Sequence, residues 1–177
     1  MTDLPREFSR PERLDLIGAG DRVVTITADA SERAGLATRF GLVSIGRLEA
    51  RFSLRKEAAG IRARGHLDAV LVQSCVVTED PIPVTLGEDF DLRFVAEPDA
   101  PAEDEIELSE DACDVVFFSG GAIDLGEAAA ETMALALNPF PRGPRAGEVL
   151  AEAGVVSEDE VKPLGALAGL KDLLGGK

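Results

Sequence analysis

Six basic side chains, Arg47, Arg51, Arg55, Lys56, Arg62 and Arg64, fall between positions 47 and 64 of a chain with only 18 bases in all. Grouped guanidinium ions suit phosphate or carboxylate oxygens, which they meet through paired, charge-assisted hydrogen bonds. These six are the candidate RNA- or phosphate-binding residues. No aromatic residue lies among them on the face they share. The stacking platform usual for single-stranded RNA is therefore missing, and phosphate or shape contacts would have to carry any RNA binding. The plainer reading is a solvated sheet face whose arginines pair with surface acids.

Other chemistry finds less support. Gly18-Ala19-Gly20 lacks the third glycine and the following helix of a dinucleotide site. The single histidine, His66, lies on the polar side of a strand near Arg64, whereas a Ser-His-Asp arrangement needs it beside a nucleophile. A structural zinc site wants four closely spaced Cys or His ligands. Only Cys75, Cys113 and His66 are available, and the two cysteines are 38 positions apart. Cys75 reads as a small, half-buried side chain closing a strand, and Cys113 as an exposed one without a partner. No catalytic residue, metal or cofactor is expected, and the chain reads as a binding protein rather than an enzyme. Glu97 to Asp114 holds nine acids and no base, with Pro98 and Pro101 near its start. This segment is expected to be an exposed insert, or else a docking site for a basic protein.

A sheet must position the arginines. Leu48, Ala50, Phe52 and Leu54 alternate with polar residues, and after Glu57-Ala58-Ala59-Gly60 the alternation resumes at Ile61, Ala63, Gly65, Leu67 and Ala69. Period two on both sides of a short turn predicts a β-hairpin with one buried face. Pairing Lys56 with Ile61 sets Leu54 opposite Ala63, Phe52 opposite Gly65 and Ala50 opposite Leu67. The same register matches Arg55 with Arg62, Ser53 with Arg64 and Arg51 with His66. Arg55 opposite Arg62 is a like-charge pair that costs stability unless an anion lies over it.

Arg22 to Ala28 reads as a strand, followed by a helix capped by Asp29 with Glu32 completing a capping box and Gly41 as its stop. Ile82 to Val95 is further extended chain, and Val115 to Phe118 a short buried strand. A second helix is capped by Asp124 with Glu127 three residues on, carries an apolar stripe of Leu125, Ala128, Ala129, Thr132, Leu135 and Ala136, and ends at Asn138-Pro139. The expected fold is α+β: an antiparallel meander or partly open barrel-like sheet, two main helices and a flexible C-terminal tail. One domain spans about 1–150 with the acidic insert at about 97–114. Residues 151–177 form a loosely ordered tail with a short amphipathic helix over Leu164 to Leu174.

Thirty-three acids against 18 bases give a net charge of −15 on 177 residues, which argues against nonspecific nucleic-acid binding but allows a local basic patch. Met1 to Glu12 has no apolar run fit for a signal peptide, and no stretch approaches a membrane span. Two cysteines are too few for a disulfide scaffold, so the expected location is the cytoplasm.

In order along the chain, Phe8-Ser9-Arg10-Pro11, Leu48-Glu49-Ala50-Arg51-Phe52, Val72-Gln73-Ser74-Cys75-Val76-Val77-Thr78-Glu79-Asp80-Pro81, Ile123-Asp124-Leu125-Gly126-Glu127 and Asn138-Pro139-Phe140-Pro141-Arg142 resemble the YceD family of large ribosomal RNA subunit accumulation proteins. The resemblance implies a role in accumulating 23S rRNA through large-subunit assembly or processing, with no established catalytic residues. Many members carry a Cys-x-x-Cys ending at the position of Cys75, which suggests a metal. Here Val72 stands at its first position, and the C-terminal region has no cysteine. The expectation is a non-enzymatic ribosome-biogenesis factor meeting 23S rRNA or a large-subunit precursor particle through the arginine face, with a basic ribosomal protein as a further partner of the acidic segment. The alternative is an acidic adaptor or holdase for a basic protein, with no RNA contact.

Overall fold

A computed structural model describes residues 7–97 and 114–155. Cys113, most of the acidic insert and the expected tail helix lie outside the described residues. The elements run β1 (Pro11–Arg13), a short 3-10 turn (Leu14–Leu16), β2 (Arg22–Thr27), α1 (Ala30–Arg39), β3 (Ser44–Glu57), β4 (Gly60–Ser74), β5 (Pro81–Ala96), β6 (Asp114–Phe118), β7 (Ala122–Asp124), α2 (Leu125–Ala136) and α3 (Ala146–Glu152). Strands β2-β3-β4-β5-β6 form one open sheet, and β1 pairs with β7 in a separate two-stranded ribbon. The fold is α+β, and its sheet does not close into a barrel.

The long β3–β4 hairpin has the expected register throughout, from Ala50 opposite Leu67 to Lys56 opposite Ile61. Two faces fix it. Leu48, Ala50, Phe52, Leu54, Ile61, Ala63, Leu67, Ala69 and Leu71 are all buried, and a slip of one residue would expose every one of them. β2 and β5 add antiparallel on either side. β6 departs from a simple meander: it lies parallel to β5, with Arg93 opposite Val115 and Val95 opposite Phe117. A parallel neighbour needs a crossover rather than a tight turn.

Helices α1 and α2 cover the apolar face. α1 has the expected capping box: Asp29 Oδ1 accepts from the Glu32 amide at 2.9 Å and Glu32 Oε2 from the Asp29 amide at 2.8 Å. Gly41, at φ +63°, ends it. The Asp124 cap on α2 is also present, accepting from the Gly126 and Glu127 amides at 3.0 and 3.2 Å. Glu127 does not act as a box acid: both its oxygens are taken by Arg39 of α1, at 2.6 and 3.0 Å. The buried stripe of α2 is Leu125, Ala128, Ala129, Ala130 and Met133, and Leu135 is 84% exposed. This helix is apolar around most of its circumference, so periodicity alone does not fix its inward face. The 3-residue ribbon β1–β7 and helix α3 are further elements; the boundary expected at residue 150 cuts α3.

The segments that carry the family resemblance act as fasteners between elements. Ser9 Oγ donates to Asp124 Oδ2 at 2.6 Å and the Arg10 amide to Oδ1 at 2.8 Å, so the α2 cap also anchors the start of the chain. Gln73 Nε2 donates to the Asn138 carbonyl and the Val76 amide to the Pro141 carbonyl, both at 2.9 Å.

Candidate functional site

Pleating places the arginines opposite the helices, on the open face of the sheet. Cross-strand pairing arranges this face in rows. One row is Arg55, Arg62, Arg93 and Val115, from β3 to β6. The next is Val23, Ser53, Arg64 and Asp91; then Thr25, Arg51, His66 and Asp89; then Thr27, Glu49, Asp68 and Gly87. The face is basic at the hairpin-turn end and acidic towards the other.

The structure brings four of the six expected residues together: Arg51, Arg55, Arg62 and Arg64. Arg47 lies beyond the acidic row and pairs with Glu49 at 3.3 Å. Lys56 is opposite buried Ile61, so the pleat turns it to the helix side, away from the arginines. The aromatic expected to be missing is present on the neighbouring strand. Phe117 of β6 shares the face of Arg93 and Val95 and is 59% exposed, while Val116 and Phe118 pack against the core.

Carboxylates hold several of these cations in place. Asp91 takes Arg62 through two bonds, at 2.9 and 2.6 Å, and the Arg64 Nε at 3.0 Å. These hydrogen bonds, that from Arg62 foremost, hold the Asp91 carboxyl below its usual range. Asp21 takes Arg55 at 2.7 Å, lowering its own pKa and raising that of Arg55. Among the described residues Arg51 makes no ion pair or side-chain hydrogen bond, and neither does Arg93, whose Nε is buried without a hydrogen-bond partner there. His66 Nδ1 lies 2.6 Å from Asp89, and that bond raises its pKa above the ordinary imidazole value.

A second constellation surrounds Cys75. It is fully buried, 1% exposed, rather than half-buried. Its sulfur accepts the Gly143 amide at 3.3 Å, and this bond, helped by the Thr78 hydroxyl, brings the thiol down to about 7. Asp80 is clamped by two hydrogen bonds from Arg145 beside it. Together these bonds fasten the β4–β5 turn to the segment before α3. Among the described residues no three His, Cys, Asp or Glu side chains converge as a metal ion would require. Nor is any described helix long and apolar enough to cross a membrane.

Residues 63–174, well over half of the chain, match the family described as large ribosomal RNA subunit accumulation protein YceD. The chain belongs to this family. No curated protein and no solved structure matches it. The span matched to the YceD family takes in Arg64, Arg93, Phe117 and the Cys75 fastener, whereas Arg51, Arg55 and Arg62 precede it. Of the two residues that sequence reasoning missed, Arg93 carries a usable signal: it alternates with Leu92 and Phe94, so pairing β5 to β4 aligns it with Arg62. Phe117 carries none, because Val-Val-Phe-Phe has no alternation to show which side faces water.

Proposed function

We propose that this YceD-family protein is a non-enzymatic ribosome-biogenesis factor of the cytoplasm. It supports accumulation of 23S rRNA by binding that RNA, or a large-subunit precursor particle, through the arginine face. One observation supports this reading above the others: Arg51, Arg55, Arg62, Arg64 and Arg93 share one end of one exposed sheet face, on a chain whose net charge is −15. A fold that lines like charges across three strands gives up stability there, and a phosphate backbone laid over them would return it. Replacing Arg51, Arg55 and Arg64 together with glutamate should abolish co-sedimentation with large-subunit precursors while circular dichroism stays that of the wild type. Unchanged co-sedimentation would remove this face from the reading.

The adaptor reading has its own support in a groove of about 730 Å³ beside β6, β7 and α2, whose lining includes Glu97, Glu127 and Glu131 together with Val116, Phe117 and Phe118. Carboxylates beside apolar side chains suit a basic ribosomal protein segment. Nuclease treatment of a pull-down separates the two: an RNA-borne association is lost, and a protein-borne one survives.

A further inference from the structure

We infer that the arginine face takes single-stranded rather than duplex RNA, with Phe117 stacking on a base and the Arg55–Arg62–Arg93 row meeting the adjoining phosphates. This deepens the proposed function and rests on it. The inference starts from Phe117, a large aromatic side chain lying open on the solvent face of an edge strand, where burial would be worth more than exposure. Its partner across the ladder is Val95, and Arg93 sits two residues before Val95 on the same strand, so the ring is a diagonal neighbour of that guanidinium.

Arg93 supplies the second, independent observation. Among the described residues its Nε is buried with no hydrogen-bond partner and it makes no ion pair, while its row neighbours Arg55 and Arg62 are each held by a carboxylate. Buried donors are normally satisfied. A guanidinium that no described carboxylate pairs, set between a row of cations and an exposed ring, suits an anion that arrives together with an apolar surface. A nucleotide offers both, its phosphate to the arginine and its base to the ring. A duplex offers the phosphates but hides its base faces within the stack. An acidic peptide offers carboxylates without the flat surface.

The test uses the full chain and a fluorescent oligouridine of about ten nucleotides, compared with a perfectly paired RNA duplex of equal length. Wild type should prefer the single strand. Phe117→Ala should weaken single-strand binding by between about 5- and 150-fold, the range for one stacked base. Phe117→Tyr should restore it, and duplex binding should not respond to either change. Arg93→Ala should flatten the dependence of log affinity on log salt by about 0.7, as expected for one lost phosphate contact on a single strand. Phe117 is exposed, so a thermal melt should show these variants folded. If Phe117→Ala binds oligouridine as wild type does while the triple glutamate variant does not, the stacking inference is overturned and the arginine-face reading stands. Equal affinity for duplex, or no binding of oligouridine, also overturns the inference. If the triple variant binds RNA like wild type, the inference and the reading fall together.

Discussion

Among the described residues Asp91 is the one acid that holds two arginines of the face, since Arg62 and Arg64 both bond its carboxylate. It stabilises the fold by relieving the repulsion along the Arg55–Arg62–Arg93 row, and it competes with any incoming phosphate for the same donors. The Asp91→Asn variant separates these roles. At neutral pH it should unfold more readily than wild type by less than about 1 kcal/mol, because such half-exposed pairs are screened by water. The same change should tighten oligouridine binding by up to about fivefold. The stability difference has a definite pH dependence. A carboxyl whose folded pKa is depressed contributes above its unfolded value, and that contribution fades as pH falls through the folded value. Urea midpoints of wild type and variant should therefore differ at neutral pH and converge below about pH 4. Midpoints that stay apart in strong acid would show that the carboxylate charge is not what holds the arginines.

The β3–β4 hairpin is the element on which the face depends, and its geometry has a weak point at Gly65. This glycine faces inward opposite Phe52, where a β-carbon would lie 2.0 Å from the Arg51 carbonyl oxygen and 2.5 Å from the Phe90 ring. Phe90 fills the space instead, its ring 4.8 Å from that of Phe52. Gly65→Ala should therefore cost about 1–3 kcal/mol by overpacking. It should lower the urea midpoint with an unchanged slope, since the same surface is exposed on unfolding. The hairpin was readable from sequence because two independent alternations, apolar inside and charged outside, agree on one register. The α1 capping box was readable because both of its bonds are local. What stayed hidden depends on distant partners. Glu127 fits a capping box by spacing, yet Arg39, 88 positions away, takes its carboxylate. β6 reads as a strand, but nothing in Val115-Val116-Phe117-Phe118 says that it pairs parallel to β5 or which side meets water. Helix α3 is only 7 residues, about two turns, with Gly147 inside it, too brief for a periodic signal.

On the scale of the whole molecule, a net charge of −15 surrounds a face with a basic end, and distance decides which of the two an RNA encounters. At about 10 mM salt the screening length is about 30 Å, so an approaching strand feels the full negative charge. At about 150 mM it is about 8 Å, and only the face within reach acts on the strand. The association rate constant for oligouridine should therefore rise with salt over this range, the reverse of the steering shown by a basic RNA-binding protein. The dissociation rate should rise as well, because counterions compete for the contacts once they are made. Stopped-flow fluorescence at several salt concentrations reads both constants directly. The triple glutamate variant should lose the bound signal at every salt concentration, since the close contacts come from the arginine face. An association rate that falls steadily from the lowest salt would mean the arginines dominate even at long range. The acidic surface would then play no part in rejecting RNA that fails to meet the face. If the rate rises, the same acids that keep nonspecific strands away leave the arginine face as the one place of close approach, and selectivity follows from the distribution of charge.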